Sequence, residues 1–122
     1  MNDELTITNE DQDLVFSIEP SKRKTVRKAR VNVEGKMNLY NAAFIVEKIG
    51  EIVNKWDIVD FKLQGITEID LSALQTMYYY KSLFTSEEKR INFQLLELPA
   101  EVNTIINKSK YNKILFQKPS RA

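Results

Sequence analysis

A serine that follows an aspartate at the predicted start of a helix is the feature of this sequence best suited to chemistry. The segment Ile69-Asp70-Leu71-Ser72-Ala73-Leu74 comes after a predicted strand that ends near Gly65. Free backbone N–H groups and the helix dipole favour an anion in the first turn of a helix. A phosphate on Ser72 would add about −1.5 to −2 charges at neutral pH. A charge of this size can disrupt a docked interface while the fold stays intact.

The same residues also fit a structural role at the helix start. Ser72 and Gln75 match a capping box, in which both side chains satisfy free backbone N–H groups. Asp70 is either the N-cap of the helix or the neighbour of a phosphorylated serine. The two interpretations are compatible, because a capping serine still lies in the turn that favours an anion.

One face of this helix and the start of the preceding helix are candidates for partner binding. Side chains spaced i, i+3, i+4 and i+7 share a helix face, and exposed aromatic side chains indicate a contact surface. The alternatives are a solvated face for the polar residues and, for the aromatic pair on the first helix, packing under the N-terminal arm. The predicted partner-binding residues are Asn38, Tyr40, Phe44, Asp70, Gln75, Thr76 and Tyr79.

The missing residue types exclude several kinds of site. The chain has no cysteine and no histidine, which excludes disulfides, thiol catalysis, histidine-dependent triads and metal sites built on these residues. No nucleophile–base pair, P-loop or Gly-rich dinucleotide turn is visible, so the sequence predicts no enzyme, no metal and no cofactor. The lack of cysteine fits a cytoplasmic protein, and no apolar run approaches the ~20 residues that a membrane span needs.

The charges give no sign of a nucleic-acid partner. Eighteen basic residues oppose 17 acidic ones, so the chain has no strong overall field. The basic stretch from Lys22 to Arg30 contains no aromatic residue. Such a stretch is usually a solvated loop, and we expect no nucleic-acid binding.

Hydrophobic periodicity predicts an α/β fold. Alternating residues predict strands at 14–18, 29–33, 57–64, 91–96 and 114–116, and helical spacing predicts helices at 38–55, 70–85 and 99–109. Strands separated by helices imply a mixed sheet of four to five strands, mostly parallel, with an antiparallel edge hairpin and three to four packed helices. The predicted organisation is a flexible arm over 1–12, one domain over 13–117 and a flexible tail over 118–122.

Two segments resemble a known family. Asp70-Leu71-Ser72-Ala73-Leu74 resembles the aspartate-serine-serine-glycine-leucine segment that opens the second helix of STAS domains, and residues 33–38 resemble the glycine-containing turn after their second strand. The resemblance extends from Leu14 to Phe116 and implies the STAS fold. Leu71 and Ala73 replace the family's first serine and its glycine, and Asn38 stands where many members carry an aspartate.

The resemblance also implies a function. Ser72 falls on the serine that a partner kinase phosphorylates in bacterial anti-sigma-factor antagonists. The implied partner is a serine-kinase anti-sigma factor, which the unphosphorylated protein would sequester, so that a sigma factor is released. A weak homodimer is left open. The alternative is a scaffold subunit of a chemotaxis or lipid-transport complex, because STAS-like proteins with altered motifs keep the docking role without phosphorylation.

Overall fold

The computed structural model of the chain describes residues 5–21, 27–84 and 89–111. The strands are β1 (Leu5–Thr8), β2 (Leu14–Pro20), β3 (Lys28–Met37), β4 (Ile58–Ile69) and β5 (Arg90–Leu96). The helices are α1 (Ala42–Lys55), α2 (Leu71–Leu83) and α3 (Ala100–Lys108), and one turn of 3-10 helix, Leu39–Asn41, precedes α1. The predicted strand at 114–116 and the predicted tail lie outside the described residues.

The five strands form one mixed sheet in the order β1-β2-β3-β4-β5. The β1–β2 and β2–β3 pairs are antiparallel, and the β3–β4 and β4–β5 pairs are parallel. This confirms the predicted α/β class, the antiparallel hairpin and the parallel pairing of residues 57–64 with 91–96. The pairings are evenly divided between the two directions because β1 adds a second antiparallel pair.

The core lies on one face of the sheet. Alternate residues of the four longer strands are buried there, and the apolar stripes of the three helices cover them. The buried strand residues on this face include Leu14, Phe16, Ile18, Ala29, Val31, Val33, Val59, Phe61, Leu63, Ile91 and Phe93. Phe61 and Phe93 stack with ring centroids 4.9 Å apart across β4 and β5. The period of two in each strand therefore builds the layer on which the helices rest.

The opposite face of the sheet is polar, and the basic stretch ends on it. Its described basic residues lie close to carboxylates: Arg27 to Asp57 at 3.1 Å, Lys28 to Asp60 at 3.5 Å and Arg30 to Glu19 at 3.5 Å. Cross-strand pairs of opposite charge stabilise neighbouring strands. Lys28 and Arg30 therefore have acidic neighbours within the sheet, and Arg27 has one just before β4.

Strand β1 differs from the expectation of a flexible arm over residues 1–12. Residues 5–8 pair with β2 from Leu5 opposite Ile18 to Thr8 opposite Val15. Ile7 is half buried and packs against the core. A strand forms here because Leu5 and Ile7 alternate with threonines and extend the covered face of the sheet.

Strand β4 is longer than predicted. It continues past Gly65, which has a φ of +77°, and ends at Ile69. Its register against β3 shifts on both sides of Gly35, so β4 accommodates extra residues as a bulged strand does. Ile66 and Ile69 are buried, and this burial keeps the segment in the sheet. No loop therefore separates β4 from α2.

Candidate partner-binding surface

The starts of α1 and α2 lie side by side at the carboxyl ends of two parallel strands. Met37, the last residue of β3, is paired with Ile69, the last residue of β4. The Asp70 N–H donates to the Met37 carbonyl oxygen at 3.1 Å. In open α/β sheets this edge is where binding sites form. The fold thus brings together two segments that are about thirty residues apart in the chain.

Asp70 is the N-cap of α2. Its side chain accepts a hydrogen bond from the Ala73 N–H at 3.3 Å, and the Ser72 hydroxyl donates to the same carboxylate oxygen at 2.5 Å. The capping box predicted for Ser72 and Gln75 is therefore not the arrangement observed: Asp70 satisfies the free N–H, and Ser72 binds to the cap.

Ser72 is half buried in the first turn of α2. Its backbone carbonyl accepts a hydrogen bond from the Thr76 hydroxyl at 2.9 Å. Ala73, which stands at the family's glycine position, is buried with an exposed fraction of 1%. The Ala73 side chain therefore points into the core and leaves the surface around Ser72 open.

Asn38 caps the 3-10 turn that precedes α1. Its side-chain oxygen accepts from the Asn41 N–H at 3.2 Å, and its amide group donates to Glu68 at 2.5 Å. The helix predicted to begin at Asn38 therefore begins as a 3-10 turn, and α1 follows from Ala42. The bond to Glu68 connects the start of α1 with the end of β4.

A buried polar network anchors this 3-10 turn. The Asn41 amide donates to Asp13 at 3.1 Å and to the Lys36 carbonyl at 2.8 Å, while Asn9 donates to Asn41 at 2.9 Å and to Asp13 at 2.6 Å. Hydrogen bonds from Asn9 and then Asn41 lower the pKa of Asp13 below its ordinary value. Periodicity gave no signal for this network, because its members are polar and distant in sequence.

Gly35 is necessary for the same anchor. A Cβ added there would lie 2.1 Å from the Asp13 carbonyl oxygen, and the Gly35 φ of +112° is one that other residues rarely adopt. The Lys36 N–H donates to that oxygen at 2.8 Å. The glycine thus lets the β1–β2 turn approach the end of β3.

Large apolar side chains are exposed around both helix starts. Tyr40 is 94% exposed and Leu39 68% exposed on the 3-10 turn, while Leu71 is 53% and Tyr79 59% exposed on α2. Contiguous exposed apolar side chains of this kind mark interaction sites. We call the following residues the docking surface: Asn38, Leu39, Tyr40, Asp70, Leu71, Ser72, Gln75, Thr76 and Tyr79. The sequence prediction missed Leu39 and Leu71, although each is a leucine beside a predicted cap.

Phe44 differs from the other predicted binding residues. It is half buried, and its ring makes an edge-on contact with Phe16 at a centroid distance of 5.9 Å. Lys48 Nζ lies 5.8 Å from the Phe44 centroid. These contacts support packing of Phe44 rather than docking, and the neighbour they identify is Phe16 of β2, not a residue of the N-terminal arm.

A groove of about 300 Å³ runs between α1 and α2 beside Ser72. Its lining residues are Val46, Ser72, Gln75, Thr76, Tyr79 and Tyr80. The Tyr80 hydroxyl donates to the Val46 carbonyl at 3.0 Å and lies over Gly50, where a Cβ would be 2.7 Å away. Burial raises the pKa of Tyr80. Tyr79 and Tyr80 therefore both line the groove, and the Tyr80 hydroxyl bridges it to α1.

In ranges 5–21, 27–84 and 89–111, no cluster of three or more potential ligands among Asp and Glu could hold a metal ion. Within those same ranges, no helix is both long and apolar enough to cross a membrane.

Comparisons with known proteins place the fold. The sequence matches no protein-family model and no curated protein. An anti-sigma factor antagonist from Mycobacterium paratuberculosis is similar in structure, with a TM-score of 0.60, 13% identity and coverage of 93% of this chain and 92% of that one. The anti-sigma factor antagonist SpoIIAA in its unphosphorylated form has a TM-score of 0.58 and 10% identity, with coverage of 84% and 89%. The chain therefore has the fold of the anti-sigma factor antagonists, the STAS fold that the sequence resemblance implied.

Proposed function

We propose that this chain is a regulatory module that binds a protein partner through the docking surface and is released by phosphorylation of Ser72. The observation that carries the proposal is the position of Ser72. Its hydroxyl lies in the first turn of α2, half buried and next to exposed Leu71. A modification at this point would alter the contact surface without entering the core.

The surface chemistry supports the direction of the switch. Apolar side chains of Leu39, Tyr40 and Tyr79 are suited to fill pockets of a partner, as aromatic anchors do at interface hot spots. A phosphate on Ser72 would add negative charge beside the Asp70 carboxylate, now 2.5 Å from the hydroxyl. Because burying unpaired charge is costly, phosphorylation would oppose docking.

The partner proposed for this surface is a serine-kinase anti-sigma factor. The similar structures are described as anti-sigma factor antagonists, and the sequence resemblance points to the same partner. In this proposal the unphosphorylated chain sequesters the kinase, and a sigma factor is set free. The kinase ends the interaction by transferring a phosphoryl group from ATP to the Ser72 hydroxyl, with release of ADP.

A non-phosphorylated scaffold is the second candidate. Leu71 favours it, because a 53% exposed leucine stands where the family has its first serine. A surface with more apolar area can bind constitutively, as obligate interfaces do. A chemotaxis or transport gene beside this one would support the scaffold, and a gene for a histidine-kinase-like ATPase would support the switch.

Mass spectrometry tests the switch. The wild-type chain and the Ser72→Ala variant are each incubated with ATP and the kinase encoded by the adjacent gene. A second substrate shows that this kinase is active. We expect one phosphate on the wild type, located at Ser72, and none on the variant. Phosphate on another residue, or on none, would refute the switch and leave the scaffold as the better account.

A further inference from the structure

The outer edge of β1 is a second surface with the properties of a binding site. β1 is the first strand in the sheet order, and within the described residues no strand pairs with its outer side. The Asn9 N–H donates to the Leu14 carbonyl of β2 at 3.2 Å. Because backbone direction alternates along a strand, Thr6 and Thr8 direct their N–H and C=O groups away from β2.

This edge carries few of the devices that protect exposed strands. Proteins block such edges by keeping the strand very short or with charged side chains, proline or bulges. At four residues β1 is short, but its segment Leu5-Thr6-Ile7-Thr8 contains no charged residue and no proline, and its register with β2 is continuous. The segment consists of residues with a high or neutral tendency to form strands, and no strand among residues 5–21, 27–84 and 89–111 pairs with its outward backbone groups.

An apolar pocket adjoins the edge on the helix-covered face. It has a volume of about 110 Å³, which suits one aliphatic side chain, and lies between β1 and the end of α1. Its lining residues are Leu5, Ile7, Ile18, Glu51, Ile52, Lys55 and Trp56. A strand added beside β1 would direct alternate side chains toward this pocket.

The charge around β1 identifies the kind of occupant. Residues 1–21 contain six carboxylates and no lysine or arginine, and of these Glu19 is paired with Arg30. At the turn that follows β1, Glu10 and Asp11 are exposed. In the pocket, the charge of Glu51 is balanced by Lys48 at 3.3 Å, and Lys55 lies 4.9 Å from the centroid of the Trp56 ring. The acidic charge that remains is therefore the charge of the turn beside β1. A second copy of this chain would bring acidic residues against acidic residues, whereas a basic segment would be attracted.

We propose that the outer edge of β1 binds an extended segment of a protein partner, in which alternate apolar side chains are flanked by basic residues. Backbone hydrogen bonds to Thr6 and Thr8 supply the pairing, and the pocket beside Trp56 receives one apolar side chain. This surface is separate from the docking surface and does not depend on Ser72.

A synthetic peptide can test the proposal with the full chain. The probe is a seven-residue peptide in which valine and leucine alternate with threonine between terminal lysines. Trp56 is the only tryptophan of the chain and lines the pocket, so its fluorescence reports occupancy. We expect a saturable change with the probe, and no change when alternate peptide amides are methylated. A probe with glutamates in place of the lysines should bind more weakly.

Thr6→Pro and Thr6→Val form the matched pair of variants. Proline removes an N–H that β2 does not use, and strand edges tolerate it. We expect Thr6→Pro to weaken binding of the probe about three- to tenfold, the effect of one net hydrogen bond. Thr6→Val should leave the affinity for the probe unchanged. Ser72→Asp should also leave it unchanged, which separates this proposal from the phosphorylation switch.

Three results would overturn the proposal. The first is the absence of a saturable change up to about 1 mM probe, the range of very weak complexes. The second is equal binding by Thr6→Pro and Thr6→Val, with both variants shown to be folded by circular dichroism. The third is a dimer in sedimentation experiments without the probe that Thr6→Pro abolishes, because the occupant would then be a second copy.

Discussion

The two helix starts at the docking surface are held in different ways. At the start of α1, the Asn41 side chain is 5% exposed and bonded to residues up to 32 positions away. At the start of α2, the side-chain bonds of Asp70 connect residues two and three positions apart, and Ser72 is half exposed. The tertiary bond there is made by the backbone, from the Asp70 N–H to the Met37 carbonyl. The polar side chain at one helix start is therefore held by tertiary contacts, and the polar side chain at the other bonds within its own turn.

This difference suggests a division of roles. The anchored turn presents Leu39 and Tyr40 in a fixed position, so that little conformational freedom is lost when a partner binds. The local cap at α2 can change its hydrogen bonds without disturbing the core. In the proposed function a binding platform lies beside a site of modification, and the following predictions test that separation.

The largest expected effect comes from the anchor. Asn41→Ala should lower the free energy of unfolding by about 2–4 kcal/mol, because Asp13 and the Lys36 carbonyl lose a buried donor. Urea denaturation measures it. Asn38→Ala is the control, since its cap lies at the surface and should cost about 1 kcal/mol or less. Equal losses for the two variants would contradict the anchoring role of Asn41.

The next prediction separates packing from binding on α1. Phe44→Ala should cost about 1–3 kcal/mol of stability, less than the same change at a fully buried phenylalanine, because the Phe44 side chain is only partly buried. Tyr40→Ala should leave stability nearly unchanged and weaken partner binding by about 1 kcal/mol or more. Thermal unfolding and calorimetric titration with the partner measure the two effects. If Tyr40→Ala lowered stability and Phe44→Ala weakened partner binding instead, Tyr40 would belong to the core and Phe44 to the interface.

A smaller effect is expected at the start of α2. Asp70→Ala should cost about 0.5–2 kcal/mol, because the Ala73 N–H loses its cap. Ser72→Ala should cost less, since the serine binds to the cap and does not replace it. Asp70→Asn keeps a capping side chain and serves as the control. If Ser72→Ala were the more damaging change in urea denaturation, the serine would be the principal cap.

The smallest expected effect is a pH dependence of the free energy of unfolding that involves Asp13. Its pKa lies below the ordinary value of 3.8 because of hydrogen bonds from Asn9 and Asn41. A carboxylate with a lowered pKa stabilises the fold at pH values above 3.8, its ordinary pKa. This stabilisation is lost as the pH falls through the lowered pKa of the folded state. Asp57 behaves in the same way through Arg27, so the comparison must be between variants.

Asn9→Ala isolates the Asp13 contribution. The free energy of unfolding should fall less steeply between about pH 5 and pH 2 in this variant than in the wild type, because Asp13 then has a more ordinary pKa. Urea denaturation at a series of pH values measures the slope. An unchanged slope would show that the network does not stabilise the Asp13 carboxylate.

The sequence predicted the elements that have a regular hydrophobic period. Leu14, Phe16 and Ile18 alternate along β2, and the stripe of α1 contains Ile45 and Ile49, so these elements could be located. The two β4 bulges near Gly65 were missed, because a glycine in an alternating segment suggests an end as readily as a bulge. β1 was missed because its acidic surroundings conceal its short alternation.

The site could be predicted where neighbouring residues are sufficient and not where tertiary contacts decide. Asp70 could be identified as the helix cap from neighbouring residues alone, whereas the capping box of Ser72 and Gln75 was not observed. Phosphorylation of Ser72 stays a prediction. The contact of Phe44 with Phe16 and the bonds of Asn41 depend on segments about thirty residues away, and no local pattern contains them. For the same reason, the exposed Leu39 was not recognised as part of the docking surface.

The central claim is that charge at Ser72 controls docking. The affinity of Ser72 variants for the kinase encoded by the adjacent gene tests this claim most directly. Ser72→Asp introduces a charge and Ser72→Asn introduces a neutral side chain of the same size. We expect calorimetric titration to show binding by the wild type and by Ser72→Asn, and a loss of tenfold or more, about 1.4 kcal/mol, for Ser72→Asp. Equal affinities for the two variants, with both folded, would contradict the claim that charge at Ser72 controls docking.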